Sequence, residues 1–219
     1  MVIKFLPGWR WLRGNKVSLD TVEPIRSDLR GKRLFVLGSS VTWGFASGGV
    51  ALPEFLAQRF GLQVTKDAVN GTSLAGDGAD TYVARLRAHT ALTDDVDIFL
   101  LQLSTNDARL GYSTAESIAA IEQIIDYVHN QWQAPVIMYT NAWFKSDDYA
   151  QLVTAVHDVQ VKRADFEIID LFNNEAFSSQ SRAAYMADPI HPTRAGYIQW
   201  WGPQVAQELS VLLHKLVKF

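Results

Sequence analysis

The sequence contains no cysteine, no membrane-length apolar run and no large excess of either charge. The lack of cysteine excludes disulfides, thiolate nucleophiles and sulfur-ligated metals, and it fits a reducing compartment. A membrane-spanning helix needs roughly 20 apolar residues in a row, so we expect no stable membrane insertion. The hydrophobic first residues are broken by Lys4, Pro7, Arg10 and Arg13, whereas a secretory signal needs an unbroken apolar core of about 7–15 residues. We therefore predict a cytoplasmic protein.

The formal net charge is −3, and acidic and basic residues are mixed along the chain. Proteins that bind phosphate backbones concentrate lysine and arginine on one surface, and no stretch of this sequence does so. We therefore expect no nucleic-acid partner. Hydrophobic residues form 48% of the 219 residues and charged residues 20%, as in a globular domain with a sizeable core. This length fits one domain better than two.

Short apolar runs alternate with longer helical patterns through the body of the chain. Residues 33–38 (RLFVLG) and 96–103 (VDIFLLQL) are apolar runs of the kind found in strands buried on both faces. Residues 62–69, 135–139 and 166–171 are three further strand candidates. Five strands that alternate with helices predict a parallel sheet covered on both faces, in a doubly wound three-layer α/β/α sandwich.

The stretches between these strands have helical spacing. Ser113 and Glu116 form a capping-box pattern, which satisfies backbone amides at a helix start. The last helical segment follows Thr193, and we expect Gly202 and Pro203 to bend or split it, because proline donates no hydrogen bond. Further helices are predicted over residues 53–61, 80–89 and 147–161.

Four polar, turn-forming clusters follow the predicted strands. They are residues 38–44 (GSSVTWG), 70–73 (NGTS), 104–107 (STND) and 188–192 (DPIHP). In doubly wound sheets, ligands bind just beyond the carboxyl ends of the strands. We therefore expect the four clusters to meet at that edge of the sheet.

These clusters contain the parts of a serine-nucleophile site. The Ser40 hydroxyl becomes a good nucleophile only when a base removes its proton, and His191 can do so because imidazole titrates near 6.5. Asp188, in a turn stiffened by prolines, is the candidate acceptor for the other ring nitrogen. The oxyanion formed by the attack needs preorganised donors. Candidate donors are the amides of Ser40 and Gly71 and the side chain of Asn106.

In type, order and position the four clusters resemble the sequence blocks of the SGNH hydrolases, the GDSL-like lipases and acylhydrolases. The family's Gly-Asp-Ser-Leu-Thr-x-Gly block is similar to residues 38–44, and its Gly-x-Asn-Asp block is similar to residues 104–107. The resemblance spans roughly residues 33–200. It implies a flavodoxin-like five-stranded parallel sheet and ester hydrolysis that needs no metal or organic cofactor. It assigns the catalytic triad to Ser40, Asp188 and His191, and the oxyanion hole to Ser40, Gly71 and Asn106.

Two departures from the family pattern deserve weight. Ser39 stands where the pattern has aspartate, and Ser104 stands where it has glycine. Neither position is catalytic in the family, although Ser104 lies in the loop that aims Asn106. These departures support an alternative, a catalytically inactive ligand-binding module on the same scaffold. A nucleotide- or flavin-binding protein is a third hypothesis, but the glycines between 71 and 76 are followed by no lysine of a phosphate loop.

The expected partner is a small-molecule ester with an acetyl or short acyl group, with a carbohydrate or a lipid as candidate sources. Trp43 and Trp143 fall in loops at the predicted active edge, where they line a substrate pocket or simply pack. Asp107 is expected to bond backbone within its loop. No metal site is predicted, because the remaining histidines lack metal-ligand spacing.

Residues 1–30 precede the predicted hydrolase domain, residues 31–219. This arm mixes Trp9 and Trp11 with basic residues. We expect it to pack on its own domain or on a second subunit, and in the second case the protein would be a homo-oligomer.

Overall fold

A computed structural model describes residues 14–89, 95–177 and 179–216. Its centre is a five-stranded sheet in the order β2-β1-β3-β4-β5. Every neighbouring pair of strands is parallel. The flavodoxin-like parallel sheet expected from the sequence is therefore confirmed. The strands are β1 (Arg33–Gly38), β2 (Gln63–Ala68), β3 (Ile98–Gln102), β4 (Val136–Tyr139) and β5 (Phe166–Ile169).

Helices connect the strands. Ser113 caps the longest helix, and together with Glu116 it forms the predicted capping box. Short 3₁₀ turns occupy Leu19–Thr21, Ala108–Leu110 and Glu175–Phe177. The helices are α1 (Ser40–Trp43), α2 (Leu52–Phe60), α3 (Tyr82–His89), α4 (Thr114–Trp132), α5 (Asp147–Arg163), α6 (Ser179–Tyr185), α7 (Arg194–Gly196) and α8 (Gly202–Leu216).

Each face of the sheet has its own apolar core. Side chains alternate along β1, so Leu34 and Val36 enter one core while Phe35 and Leu37 enter the other. Helices α2 and α8 cover the first core, and α3, α4 and α5 cover the second. All five residues of β3 are buried. Because both faces are covered, such strands read as apolar runs in the sequence.

The last helical segment contains the irregularity that the sequence predicts near Gly202 and Pro203. A π turn over Tyr197–Trp201 precedes α8, which begins at Gly202. Pro203 has no amide hydrogen to donate back into this turn. A Cβ on Gly202 would lie 2.7 Å from the Phe55 ring. Glycine at this position therefore allows α8 to pack closely on α2.

The described part of the arm contacts the sandwich. Val22 is buried in the core that α2 and α8 cover. The Asn15 side chain donates to the Ala46 carbonyl at 2.8 Å and accepts from the Arg194 amide at 2.8 Å. Trp9 and Trp11 lie outside the described residues, and the domain division at residue 31 stays a prediction. Within the described ranges, no helix is both long and apolar enough to cross a membrane.

Candidate active site

The chain reverses sharply where β1 ends and α1 begins. A Cβ on Gly38 would collide with the Thr42 hydroxyl and lie 2.8 Å from Gln102 Oε1. A larger residue would therefore push α1 off the strand. The helix starts at Ser40, whose side chain is thereby presented at the carboxyl edge of the sheet, and it ends after one turn at Gly44, which has a φ of +85°. The sequence indicated only a polar, turn-forming cluster here.

Gln102, the last residue of β3, holds the start of α1 in place. It is fully buried, and its Oε1 accepts from the Ser39 amide at 2.8 Å and from the Thr42 hydroxyl at 3.0 Å. The Thr42 hydroxyl also lies 2.6 Å from the Tyr139 hydroxyl at the end of β4. Sequence reasoning missed Gln102, although a polar residue inside an apolar strand was a usable signal.

Ser40, His191 and Asp188 lie in one line of hydrogen bonds. Ser40 Oγ is 2.8 Å from His191 Nε2, and His191 Nδ1 is 2.8 Å from Asp188 Oδ2. A carboxylate only accepts, so Nδ1 carries the proton and Nε2 is free to accept from the serine. The structure thus brings together three residues that are up to 151 positions apart in the sequence.

The turn that carries Asp188 and His191 is held together by further hydrogen bonds. Asp188 Oδ1 accepts from the amides of Ile190 and His191, each at 2.7 Å. Burial raises the pKa of the Asp188 carboxyl, but the hydrogen bonds from the His191 side chain and from these two amides outweigh it, so that the pKa lies below its usual value. Asp188 is therefore a carboxylate at neutral pH.

Two further loops face the same edge. Gly71 has a φ of +80°, and a Cβ built there would have no atom of the described residues within 4 Å apart from those of Gly71 and its two chain neighbours. The backbone therefore needs glycine at this position, while the space beside it is open. Asn106 Nδ2 donates to the Thr72 carbonyl at 2.9 Å. A primary amide has two hydrogens, so one remains for another acceptor.

The two serines that depart from the family pattern both make buried hydrogen bonds. The Ser39 hydroxyl donates to Gln102 Oε1 at 3.3 Å. The Ser104 hydroxyl accepts from the Asn106 amide at 3.1 Å and donates to the Thr72 carbonyl at 3.4 Å. Ser104 therefore joins the loop of Asn106 to the loop that follows Gly71.

Asp107 strengthens the same connection. It is buried, and it accepts from the amides of Leu74 at 3.2 Å and Ala75 at 2.9 Å and from the Ser117 hydroxyl at 3.1 Å. These contacts fit the structural role that the sequence predicts for Asp107, with the difference that its backbone partners lie in the loop after β2.

Exposed apolar side chains are concentrated around this edge. Trp43 and Trp143 are 39% and 45% exposed. The Phe45 ring, which sequence reasoning overlooked, is centred 5.2 Å from the His191 ring. Together with Val69 and Leu110, these residues follow the carboxyl ends of four strands, and they are five of the seven large exposed hydrophobic residues in the described chain. We call these five residues the apolar rim.

Arg182 of α6 was also missed by the sequence analysis. Its guanidinium donates to the carbonyls of Trp143 and Pro189, and so it connects the loop after β4 to the Asp188 turn.

Among the described residues, no group of three or more histidines and carboxylates is placed to hold a metal ion.

The order and spacing of these loops can be compared with known proteins. The GDSL-like Lipase/Acylhydrolase family matches the chain over residues 36–198, well over half of its length. The chain belongs to this family. As a GDSL-like lipase/acylhydrolase, it is an enzyme that hydrolyses ester bonds. No curated protein matches the chain significantly by sequence.

Solved structures share the fold at low sequence identity. A lipolytic G-D-S-L family protein from Veillonella parvula is 16% identical, with a TM-score of 0.67 over 81% of this chain and 97% of that one. A family two carbohydrate esterase from Clostridium thermocellum, in complex with cellohexaose, is 12% identical, with a TM-score of 0.66 over 86% of this chain and 66% of that one. A psychrotrophic esterase from Pseudoalteromonas is 13% identical, with a TM-score of 0.58 over 86% and 100%.

Proposed function

We propose that this GDSL-like hydrolase is a serine esterase that acts through an acyl-enzyme. Ser40 Oγ attacks the ester carbonyl carbon while its proton passes to His191 Nε2, and the proton then goes to the departing alcohol. Water attacks the acyl-Ser40 ester by the same route and releases the acid. Asp188 orients the imidazole and stabilises its charged form. The observation that carries the proposal is the 2.8 Å distance from Ser40 Oγ to His191 Nε2.

The oxyanion would be held by the amides of Ser40 and Gly71 and by the second amide hydrogen of Asn106. Ser40 is the first residue of α1, so the helix itself leaves its amide without an acceptor. The open space beside Gly71 supports close approach of a substrate oxygen. Each such donor typically contributes about 10²–10³ in rate.

The decisive experiment combines covalent labelling with hydrolysis. A fluorophosphonate probe should label the wild-type protein at Ser40, and Ser40→Ala should remove both the label and the hydrolysis of p-nitrophenyl acetate. Ser47→Ala is a matched control, because Ser47 is also buried but its hydroxyl donates to the Gly44 carbonyl. A folded Ser40→Ala variant with undiminished esterase activity would refute the mechanism. A wild-type protein that hydrolyses the ester but is not labelled would remove Ser40 as the nucleophile.

We propose a small ester with an acetyl or short acyl group as the substrate, with Trp43 and Trp143 as part of its binding site. The apolar rim supports this proposal, because exposed apolar side chains that are grouped in one place mark binding surfaces. A series of p-nitrophenyl esters of rising chain length tests it. Trp143→Ala should raise KM, whereas Val161→Ala, on the exposed surface of α5, should not. Equal KM values in both variants would remove Trp143 from the site.

A further inference from the structure

A buried arginine lies beneath the loops that carry the proposed oxyanion donors. Arg85, on α3, is 8% exposed. Its guanidinium donates to the carboxylate of Asp67. It also donates to the carbonyl of Gly38 at 2.7 Å and to the hydroxyl of Thr72 at 3.3 Å. Its Nε donates to the Asp80 carbonyl at 3.0 Å. One side chain thus joins the ends of β1 and β2 to the loop after β2.

The acceptors of Arg85 adjoin the proposed catalytic machinery. Gly38 is two residues before Ser40, and its carbonyl ends the strand from which α1 turns. Thr72 follows Gly71 directly, and the Thr72 carbonyl accepts the Asn106 side chain at 2.9 Å. Arg85 is therefore bonded beside two of the three proposed donors, and through Thr72 it is linked to the third.

We propose that Arg85, held by Asp67, is a positioning residue that sets the spacing of the oxyanion donors at Ser40, Gly71 and Asn106. This inference rests on the proposed function. The guanidinium is planar and presents its donors in a fixed fork, so it holds the Gly38 carbonyl and the Thr72 hydroxyl at a defined separation. A displacement of about 1 Å at a reacting centre can cost roughly 10²-fold in rate.

Stability alone does not account for such a pair. Replacing a buried ion pair by apolar residues of similar volume is often neutral or stabilising, whereas removing one partner leaves a costly uncompensated charge. Lysine at position 85 would keep the charge but not the fork. The arginine–carboxylate pair is thus better explained by the geometry that it imposes on the two loops than by the energy that it adds.

The main test removes both charges of the Arg85–Asp67 pair together, and with them the contact of Asp67 Oδ2 with His89 Nε2 at 3.1 Å. Arg85→Met with Asp67→Leu should leave the protein folded but lower kcat roughly 10- to 100-fold for p-nitrophenyl acetate, with KM within about twofold of wild type. The control is Arg33→Met with Asp97→Leu, a more exposed arginine–aspartate pair. That pair joins β1 to the start of β3 at the opposite end of the strands, with Arg33 Nε 3.0 Å from Asp97 Oδ2, and the control should keep kcat within about twofold.

A second variant covers the case in which the double variant does not fold. Thr72→Val keeps the shape and the ion pair but removes the hydroxyl that accepts from Arg85 at 3.3 Å and donates to the Val69 carbonyl at 2.8 Å. We expect kcat to fall about 3- to 10-fold at constant KM. The rate of fluorophosphonate labelling should fall in parallel, because that reaction also develops charge on an oxyanion.

The outcomes separate this inference from the proposed function. A lower kcat in folded variants, at unchanged KM, supports the positioning role of Arg85. A folded double variant or Thr72→Val variant with wild-type kcat overturns it, as would an equal loss of kcat in the Arg33 and Asp97 control. If Ser40→Ala retains full activity, the serine mechanism fails, whatever the Arg85 variants show.

Discussion

The clearest quantitative prediction concerns Asp107→Ala. The change leaves the amides of Leu74 and Ala75 without their acceptor in a buried loop. The Ser117 hydroxyl can turn its single hydrogen to the Ser113 carbonyl, which lies 3.1 Å away, so the loss of its bond to Asp107 adds little. Each stranded buried amide costs about 1–3 kcal/mol, which gives a loss of about 2–6 kcal/mol in the free energy of unfolding. The lower half of this range is expected, because the variant no longer buries a carboxylate.

Urea denaturation at neutral pH measures this loss as a lower transition midpoint at constant slope. Asp126→Ala provides the control. Asp126 is a largely exposed carboxylate that bonds Arg163 at 2.6 Å, and exposed pairs contribute about 0–1 kcal/mol. A loss below about 1 kcal/mol in Asp107→Ala would refute the reasoning, because it would mean that the two amides find water or other partners.

Three further predictions concern the site and the acid limb of stability. Asp188→Asn should lower kcat roughly 10³–10⁴-fold with little change in KM, measured with p-nitrophenyl acetate, because the neutral asparagine amide cannot stabilise the charged imidazole of His191 as the carboxylate does. Gly71→Ala should cost about 1–2 kcal/mol of stability in urea denaturation through its φ of +80°, and should also lower kcat. The hydrogen bond from Arg33 holds the pKa of Asp97 below its usual value. The ionised Asp97 therefore stabilises the fold fully above about pH 4, and this contribution is lost as the pH falls through the lowered pKa. In Asp97→Asn, the free energy of unfolding should consequently fall less steeply with decreasing pH in the acid range than in the wild type.

The fold and the proposed triad could be predicted from the sequence because each depends on local or rule-bound signals. The apolar run over residues 33–38 matches β1 to the residue. The rule that polar residues gather at the carboxyl ends of parallel strands then placed Ser40 and Asn106 at one edge. His191 and Asp188 joined them through the spacing of a single turn.

The supporting contacts could not be predicted, because they join side chains that only the packed fold brings together. Gln102 bonds Ser39 across 63 residues, and Arg85 bonds Gly38 across 47. Arg85 sits in a helix whose other residues look ordinary, and no local pattern distinguishes a buried arginine from a solvated one. The contact of the Phe45 ring with the His191 ring likewise depends on the path of the loop after α1, which no local pattern predicts.

The buried contacts of Ser39 and Ser104 bear on the alternative of a non-catalytic module. In the sequence these two serines were its only support, since each replaces a residue of the family pattern. In the fold, however, both hydroxyls strengthen the site: Ser39 adds a bond to Gln102, and Ser104 connects Asn106 to the Thr72 carbonyl. In a protein that has lost its activity, we expect substitutions to loosen the former active site, because selection for catalysis no longer maintains its geometry. These two serines make additional bonds within it, and so the argument for an inactive module loses its basis.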